Sequence, residues 1–419
     1  MHNLTTLPNK LRIITEKLES TKAVTILILA GAGSRYESKK INGISHFLEH
    51  MFFKGAKKYK NTKEVSEAID SIGGDFNAFT GKEYAGYYVK AASDQIEIAM
   101  DVLSDMLLHA RFDTKEIDKE RGVILEEYNM YQDTPMYQIG WDFEKLVFGD
   151  QPLGRDQIGT PEFIKKVSHD QFSKYKNELY TPDNIVLTLA GDVDHDKMMP
   201  LLEKYFKFDS EQKSYDFKKY KEHKVGDLIY LHEKSTEQAH VVVGGQSYEE
   251  THKDHWAEKL LGIILGGNMS SRMFLNVREA KGLCYYIHTS SDNFVDTGIF
   301  STGAGVNVDG VDDAVKGILD EYARICDDDV DEKELQKAKN FMKGKMVLRL
   351  EDSEQYAHLL GKYELLHNTV MQPSQIMQEL DKVTVADIQR VACDILAPSN
   401  LRIGVIGPYE DKKRFEKLL

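Results

Sequence analysis

The sequence contains few cysteines, few prolines and no long apolar segment. Its three cysteines, Cys284, Cys326 and Cys393, are widely separated and odd in number, so they predict neither a disulfide framework nor a C-x-x-C metal site. No apolar run approaches the roughly 20 residues that a helix needs to cross a bilayer. The first residues also lack the basic and apolar stretches of a secretory signal. We therefore expect a cytoplasmic protein with reduced cysteines and no membrane partner.

The chain also has fewer basic than acidic residues. The chain has 54 Lys and Arg against 68 Asp and Glu, which gives a formal net charge of -14. Nucleic-acid-binding proteins usually present a basic surface, so this balance argues against a nucleic-acid partner. Hydrophobic residues make up 41% and charged residues 29% of the 419 positions, as in ordinary globular proteins. At roughly 100–200 residues per domain, the length predicts more than one domain.

The chain contains an internal repeat. Residues 167–206 align with residues 383–418, and each copy reads as a helix, a proline turn, a buried strand and a second helix. The matched positions include Val167 with Val383, Pro182 with Pro398 and Asn184 with Asn400, all at one offset. We predict two homologous domains, 1–208 and 226–419, joined by a polar linker at 209–225.

Strand and helix patterns occur in both halves without strict alternation. Residues 23–30 and 240–244 are apolar and β-branched, which is typical of buried strands. Residues 75–91 alternate as a pair of strands does, and residues 94–109 have the periodicity of an amphipathic helix. The pattern predicts an α+β fold in which each domain is a largely antiparallel sheet with helices on one face.

A histidine pair in the first half has the spacing of metal ligands. His46 and His50 are four residues apart, so a helix places both imidazoles on one face, where they can share a zinc ion at about 2.0–2.1 Å. Glu49 lies beside them in the order H-x-x-E-H, the inverzincin signature, and can act as a general base. The same spacing occurs on ordinary amphipathic helices. The apolar surroundings at 44–53 favour a metal site, because unpaired polar groups are costly there.

A catalytic zinc site needs a third protein ligand and an open position. Glu127 is the candidate, and Glu120, seven residues earlier on the same helical face, is predicted to hold a ligand histidine through its other ring N–H. Glu126 points elsewhere and is expected to be a solvated charge. In the repeat the equivalents of Glu120 and Glu127 are Ala338 and Lys345, so we expect one Zn²⁺ per chain, in the first domain only.

Three segments carry a family resemblance that extends over nearly the whole chain. HFLEHMFFKG at 46–55, ERGVILEEY at 120–128 and PLGRDQIGT at 152–160 resemble segments of the pitrilysin/insulinase family of zinc metallopeptidases. The likeness is to the branch of the mitochondrial processing peptidase β-subunit and its prokaryotic relatives. It implies a zinc metalloendopeptidase that cleaves short or unfolded peptides, with Glu49 as the base.

The resemblance also implies roles for residues outside the metal site. The segment 270–290 resembles one in which an arginine and a tyrosine seven residues later approach the substrate. These are Arg278 and Tyr285 here, expected to be catalytic, with Tyr286 as an adjacent alternative to Tyr285. A strand of the first domain is expected to bind the peptide by main-chain hydrogen bonds, through Phe76, Asn77, Ala78 and Phe79.

One chain carries both the zinc motif and the Arg/Tyr pair, and its loop at 265–271 is short. The resemblance therefore implies a homodimer in which domain 1 of one chain faces domain 2 of the other and encloses a chamber. Arg278 and Tyr285 would then act in trans. The alternatives are a non-catalytic structural subunit of the same fold, which would bind no zinc, and a peptide-binding module without turnover.

Overall fold

The computed structural model describes residues 2–208, 212–222, 226–328 and 330–419. The predicted linker at 209–225 lies partly outside these residues. Within the described ranges, no helix has the length and apolar character needed to span a membrane. The cytoplasmic location stays a prediction.

The chain forms two compact units, each assembled from three segments. Unit 1 consists of Met1–Asn129, Asp156–Lys218 and Val347–Gln372. Unit 2 consists of Met130–Arg155, Lys219–Met346 and Pro373–Leu419. Each unit thus takes one short segment from the opposite half of the sequence. The predicted domains 1–208 and 226–419 follow the sequence repeat, and these domain boundaries stay a prediction.

Within the described residues, eleven strands form two sheets. In chain order they are β1 (Asn3–Thr6), β2 (Arg12–Lys17), β3 (Ala23–Ala30), β4 (Asp75–Thr80), β5 (Ala85–Ala92), β6 (Ile185–Gly191), β7 (Ile229–Glu233), β8 (Gln238–Ser247), β9 (Cys284–Asn293), β10 (Gly298–Asn307) and β11 (Arg402–Gly407). The sheet of unit 1 has the order β1-β2-β6-β3-β5-β4, and that of unit 2 has the order β7-β11-β8-β10-β9. One pair in each sheet is parallel, β2 with β6 and β7 with β11, and the other pairs are antiparallel. The predicted α+β class with largely antiparallel sheets is confirmed.

In the part of the chain that the structure describes, fifteen α-helices accompany the sheets. They are α1 (Ile44–Phe52), α2 (Thr62–Asp70), α3 (Ile96–His109), α4 (Thr114–Asp133), α5 (Pro135–Phe148), α6 (Pro161–Ile164), α7 (His169–Leu179), α8 (His195–Tyr205), α9 (His255–Gly266), α10 (Val311–Asp327), α11 (Glu332–Arg349), α12 (Ser353–His367), α13 (Pro373–Lys382), α14 (Val385–Ile395) and α15 (Lys412–Glu416). A short π-helix covers Phe274–Glu279.

Helices cover both faces of the unit 1 sheet, so the expected one-sided arrangement is wrong. Leu27 and Leu29 on β3 pack against Ala357 of α12. Ile26 and Ile28, which alternate with them and therefore point to the opposite face, are also fully buried. Helix α3 packs against β5 and β3. The second covering helix comes from a distant part of the chain, which local periodicity does not reveal.

The repeat is visible as a shared turn architecture. Asn184 lies between α7 and β6 and donates its side-chain N–H groups to the carbonyls of Leu179 and Gly31, at 2.8 and 2.7 Å. Asn400, its counterpart between α14 and β11, donates to the carbonyls of Ile395 and Gln246 at 2.7 and 2.8 Å. Each asparagine therefore ties a helix end to a neighbouring strand in the same way.

Candidate metal centre

A buried carboxylate fixes the start of α1, the helix that carries the histidine pair. Glu37 accepts from the backbone N–H of Gly43 at 2.7 Å and of Ser45 at 2.8 Å, and from the Asn42 amide at 2.9 Å. The Ser45 hydroxyl adds a fourth bond at 2.6 Å. Burial raises the pKa of Glu37, although these donors favour its charged form. A carboxylate at this position also complements the positive end of the helix dipole.

A close approach of backbone explains the glycine that precedes α1. Gly43 has φ +102°, a conformation that favours glycine. A Cβ at Gly43 would lie 2.6 Å from the Ile158 carbonyl oxygen and 2.7 Å from Gly159 Cα. Residues 158 and 159 therefore pack directly on the start of the helix.

The apolar face of α1 anchors the helix in unit 1. Phe47 and Phe52 are fully buried, and their rings lie 5.0 Å from Phe172 and 5.1 Å from Tyr87 between centroids. His46, Glu49 and His50 occupy the remaining, partly exposed part of the helix surface. The packing therefore determines the direction in which the polar side chains point.

The structure brings together the three predicted metal ligands. His46 Nε2 lies 3.5 Å from Glu127 Oε1, and His50 Nε2 lies 3.6 Å from Glu127 Oε2. One ligand atom from each residue lies within 4.8 Å of the others. Tetrahedral ligands bound to zinc at about 2.0–2.1 Å are separated by about 3.4 Å. The observed spacings therefore fit a common ion, and the two-nitrogen, one-carboxylate donor set suits zinc.

Glu120 holds the second histidine in the orientation that metal binding requires. Its Oε1 lies 2.9 Å from His50 Nδ1, so an N–H at Nδ1 leaves the Nε2 lone pair free for a metal. Lys54 Nζ lies 2.6 Å from Glu120 Oε2. Burial opposes ionisation of Glu120, but the bonds from His50 and Lys54 outweigh it and lower the pKa of this carboxyl group. Lys54 was not predicted, although it lies only four residues after His50, just beyond the end of α1.

His46 and Glu127 are coupled electrostatically. The interaction with His46 lowers the pKa of Glu127, against the effect of partial burial. Burial lowers the pKa of His46, but Glu127, together with Glu49 and Glu37, raises it by more, so the net shift of the pKa is upward. His46 Nδ1 is buried and has no hydrogen-bond partner among the described residues. Glu127 is therefore the principal polar partner of this ring.

Glu49 lies next to the histidines but outside the cluster of three ligands. Its Oε2 accepts a hydrogen bond of 2.5 Å from the hydroxyl of Thr80, the last residue of β4. Thr80 lies one position beyond the predicted peptide-binding residues 76–79. The pattern of alternating residues placed it on a strand but did not show that this strand would pack beside α1.

Strand β4 has the position that a peptide-binding edge requires. It is the last strand of its sheet and pairs with β5 from Asp75↔Lys90 to Thr80↔Ala85. Its other edge has no partner strand within the described ranges. The role of Phe76, Asn77, Ala78 and Phe79 in binding stays a prediction.

The Arg/Tyr pair lies in unit 2, where the structure separates the two candidate tyrosines. Tyr285 is 75% exposed, whereas the hydroxyl of Tyr286 shares a hydrogen bond of 3.0 Å with His240 Nδ1. Burial raises the pKa of Tyr286 to about 12. The guanidinium of Arg278 lies over the Phe274 ring, 4.5 Å from its centroid. Tyr285 is thus the more exposed of the two tyrosines, and its catalytic role stays a prediction.

The cluster in unit 1 is the only group of three metal-ligating side chains found in the described part of the chain. Fold and site together describe an α+β protein with a His-His-Glu group that could hold a metal ion and a neighbouring glutamate, Glu49. Comparisons with known proteins then identify the family. Residues 12–160 match the model described as "Insulinase (Peptidase family M16)", and residues 166–342 match "Peptidase M16 inactive domain".

Relatives of similar length carry names from the same family. The chain is 34% identical to an uncharacterized zinc protease of Mycobacterium leprae over 99% of this chain and 94% of the relative. It is 35% identical to the uncharacterized zinc protease YmxG of Bacillus subtilis, over 96% and 97% of the two chains. The chain therefore belongs to peptidase family M16, as its motifs predicted.

Solved structures confirm the fold. A protease from Helicobacter pylori superimposes with a TM-score of 0.88 at 23% identity, over 97% of this chain and 99% of the other. A protein from Pseudomonas fluorescens, described as a peptidase M16 inactive domain, has a TM-score of 0.90 at 17% identity, over 98% of each chain.

Proposed function

We propose that this protein is a zinc-dependent metalloendopeptidase that hydrolyses short or unfolded peptides. One observation carries the proposal: Glu127 lies 3.5 Å and 3.6 Å from the Nε2 atoms of two histidines whose helix also presents Glu49. Relatives named zinc proteases support the choice of metal and reaction class. His46, His50 and Glu127 would hold one zinc ion per chain.

Zinc, when bound, supplies Lewis acidity that polarises a carbonyl group and activates water. Glu49 is the general base in this proposal. Its carboxylate takes the proton from the attacking water and then delivers it to the nitrogen of the leaving amine. The exposed hydroxyl of Tyr285 would donate a hydrogen bond to the oxyanion, and Arg278 would bind a peptide carbonyl. Glu120 keeps His50 in its metal-binding orientation.

The free edge of β4 supports a peptide substrate without strong sequence preference. An extended peptide that adds to a sheet edge binds by main-chain hydrogen bonds, which do not depend on side-chain identity. A folded protein cannot present such a segment without local unfolding. Residues Phe76 to Phe79 would therefore select short or unfolded peptides.

We further propose a homodimer in which the first domain of one chain faces the second domain of the other. The second half has kept the fold without a ligand cluster among its described residues, so it is free to serve another role. That role would be to supply Arg278 and Tyr285 in trans and to complete a chamber around the substrate.

The test combines metal analysis with peptide turnover. We expect the purified protein to contain one zinc per chain and to cleave quenched-fluorescent peptides, and Glu49→Gln to keep its zinc while kcat falls about 10²- to 10⁴-fold. Glu126→Gln makes the same chemical change at an exposed position nearby and should behave as the wild type. A protein without zinc or turnover would instead be a structural subunit of this fold. Zinc binding without turnover would indicate a peptide-binding module.

A further inference from the structure

The base Glu49 has one hydrogen-bond partner among the described residues, and that partner is Thr80. The Thr80 hydroxyl donates to Glu49 Oε2 at 2.5 Å, within the range of a short charge-assisted hydrogen bond. The two residues belong to different elements of unit 1, α1 and β4. The other carboxylate oxygen, Oε1, has no such bond within the described ranges.

The two side chains differ greatly in stiffness. A glutamate has two sp³ torsions and a broad third one, so a partly exposed carboxylate samples several orientations unless something holds it. Threonine is branched at Cβ and has few accessible χ1 values. A hydrogen bond from Thr80, a residue of a strand, therefore restrains the Glu49 carboxylate.

The backbone of Thr80 is itself firmly held. The turn that follows it closes through a bond from the Gly81 N–H to the Tyr84 carbonyl at 2.8 Å. The Ser34 N–H donates to the Gly81 carbonyl at 3.1 Å, and the Arg35 N–H donates to the Lys82 carbonyl at 2.7 Å. The Thr80 hydroxyl is thus a donor at a fixed place rather than a mobile surface group.

We propose that Thr80 is a positioning residue that holds Glu49 Oε2 in place, so that Oε1 faces the proton it must accept. Because Thr80 is the last residue of β4, this contact connects the orientation of Glu49 to the edge strand on which the peptide would bind. This inference rests on the proposed function and adds a residue to it. Thr80 touches the base and transfers no proton.

The matched variants are Thr80→Val, which keeps the shape and the β-branch but removes the donor, and Thr80→Ser, which keeps the donor. We expect Thr80→Val to lower kcat about 10- to 100-fold, because small displacements of a catalytic group have effects of this size. KM should change less than about threefold, since substrate binding is not altered. Zinc content should stay at one per chain, and Thr80→Ser should restore most of kcat. Thr6→Val, at the end of the opposite edge strand of the same sheet, is the control.

Two further measurements separate this inference from the proposed function. In the Glu49→Gln background, Thr80→Val should leave the binding of an uncleaved peptide unchanged. Crystal structures of zinc-loaded wild type and Thr80→Val should show Glu49 in one rotamer in the former and displaced in the latter. An undisturbed Glu49 overturns the inference even if the wild type cleaves no peptide. If Thr80→Val loses activity because it loses zinc or because its KM rises, the inference is also overturned. Failure of the proposed function alone would instead appear as an inactive wild type.

Discussion

Lys54 contacts Glu120, which in turn contacts His50 of the candidate metal site. Its Nζ lies 2.6 Å from Glu120 Oε2, and Glu120 Oε1 lies 2.9 Å from His50 Nδ1. The lysine keeps the carboxylate charged and oriented, and the carboxylate keeps the histidine in the right tautomer. Groups that orient ligand histidines in this way contribute strongly to metal affinity.

Lys54→Met should therefore weaken zinc binding. It removes the ammonium group but keeps much of the side-chain length, so Glu120 loses one of its two partners. We expect the dissociation constant for zinc to rise about 10-fold, measured by competition with a chromophoric chelator. Lys57→Met, at an exposed position three residues away, should leave the constant unchanged. Equal constants for Lys54→Met and the wild type would show that Glu120 needs no second partner.

The sequence was sufficient to predict which side chains meet where their spacing is local, and insufficient where the contact depends on packing. His46 and His50 lie one helical turn apart, and the spacing of seven between Glu120 and Glu127 also follows from one helix. Each pair could be placed without knowing the fold. The contact between Thr80 and Glu49 joins positions 31 residues apart on two different elements. No periodicity links them, so only the packing of β4 beside α1 reveals this pair.

At the scale of elements, helix α9 follows β8 as α1 follows β3, but it carries no ligand cluster. It contains Glu258, a fully buried carboxyl group that accepts a bond of 3.0 Å from the Asn293 amide. Burial outweighs the neighbouring hydrogen bonds and raises the pKa of Glu258 from 4.5 to about 7. The corresponding helix of unit 2 thus has a buried acid that favours its neutral form.

This acid predicts a pH dependence of stability. Between pH 4.5 and about 7 the folded state holds the Glu258 proton while the unfolded state loses it. The folded state then binds more protons, so its free energy of unfolding falls as the pH rises, by up to about 3 kcal/mol from this group. Because Glu258→Gln removes the titrating group, the variant should not show this contribution to the fall in the free energy of unfolding. Urea unfolding should show a smaller decrease in the free energy of unfolding from pH 5 to pH 8 for the variant than for the wild type. Equal decreases in the two proteins would contradict the raised pKa of Glu258.

The sequence predicts the strand β3 but does not predict the helix that covers it, because that helix lies far away along the chain. The strand at 23–30 was placed correctly from its apolar β-branched residues. The helix that covers Leu27 and Leu29 is α12, which begins more than 300 residues later. A strand buried on both faces is uniformly apolar, but such a pattern does not tell which helix covers it. One face of the unit 1 sheet was therefore wrongly expected to be free of helices.

At the scale of the whole molecule, two units of related fold carry different chemistry. Unit 1 has the ligand cluster, and the region 166–342 matches a model described as an inactive domain. A second copy without a ligand cluster among its described residues can still contribute other side chains to the proposed reaction. In unit 2 the exposed Tyr285 and the nearby Arg278 are the residues we assign to that purpose.

The proposed homodimer predicts that two inactive variants restore each other. Glu49→Gln lacks the base but keeps Tyr285, and Tyr285→Phe has the opposite defect, so each is expected to be poorly active alone. If Tyr285 acts in trans, half of the subunit pairs formed after mixing and exchange are mixed, and each mixed pair contains one complete site. Roughly one quarter of the wild-type activity should then return, following the statistics of a two-fold dimer.

The same mixture made with Glu49→Gln and His46→Ala is the control, because these two variants damage the same half of the site. Neither subunit can then contribute an intact first domain, and activity should stay low. Recovery with Tyr285→Phe but not with His46→Ala requires that a site draws on two chains. An active monomer in sedimentation analysis, or a mixture with Tyr285→Phe that stays inactive despite proven subunit exchange, would instead place Tyr285 in cis or outside the reaction.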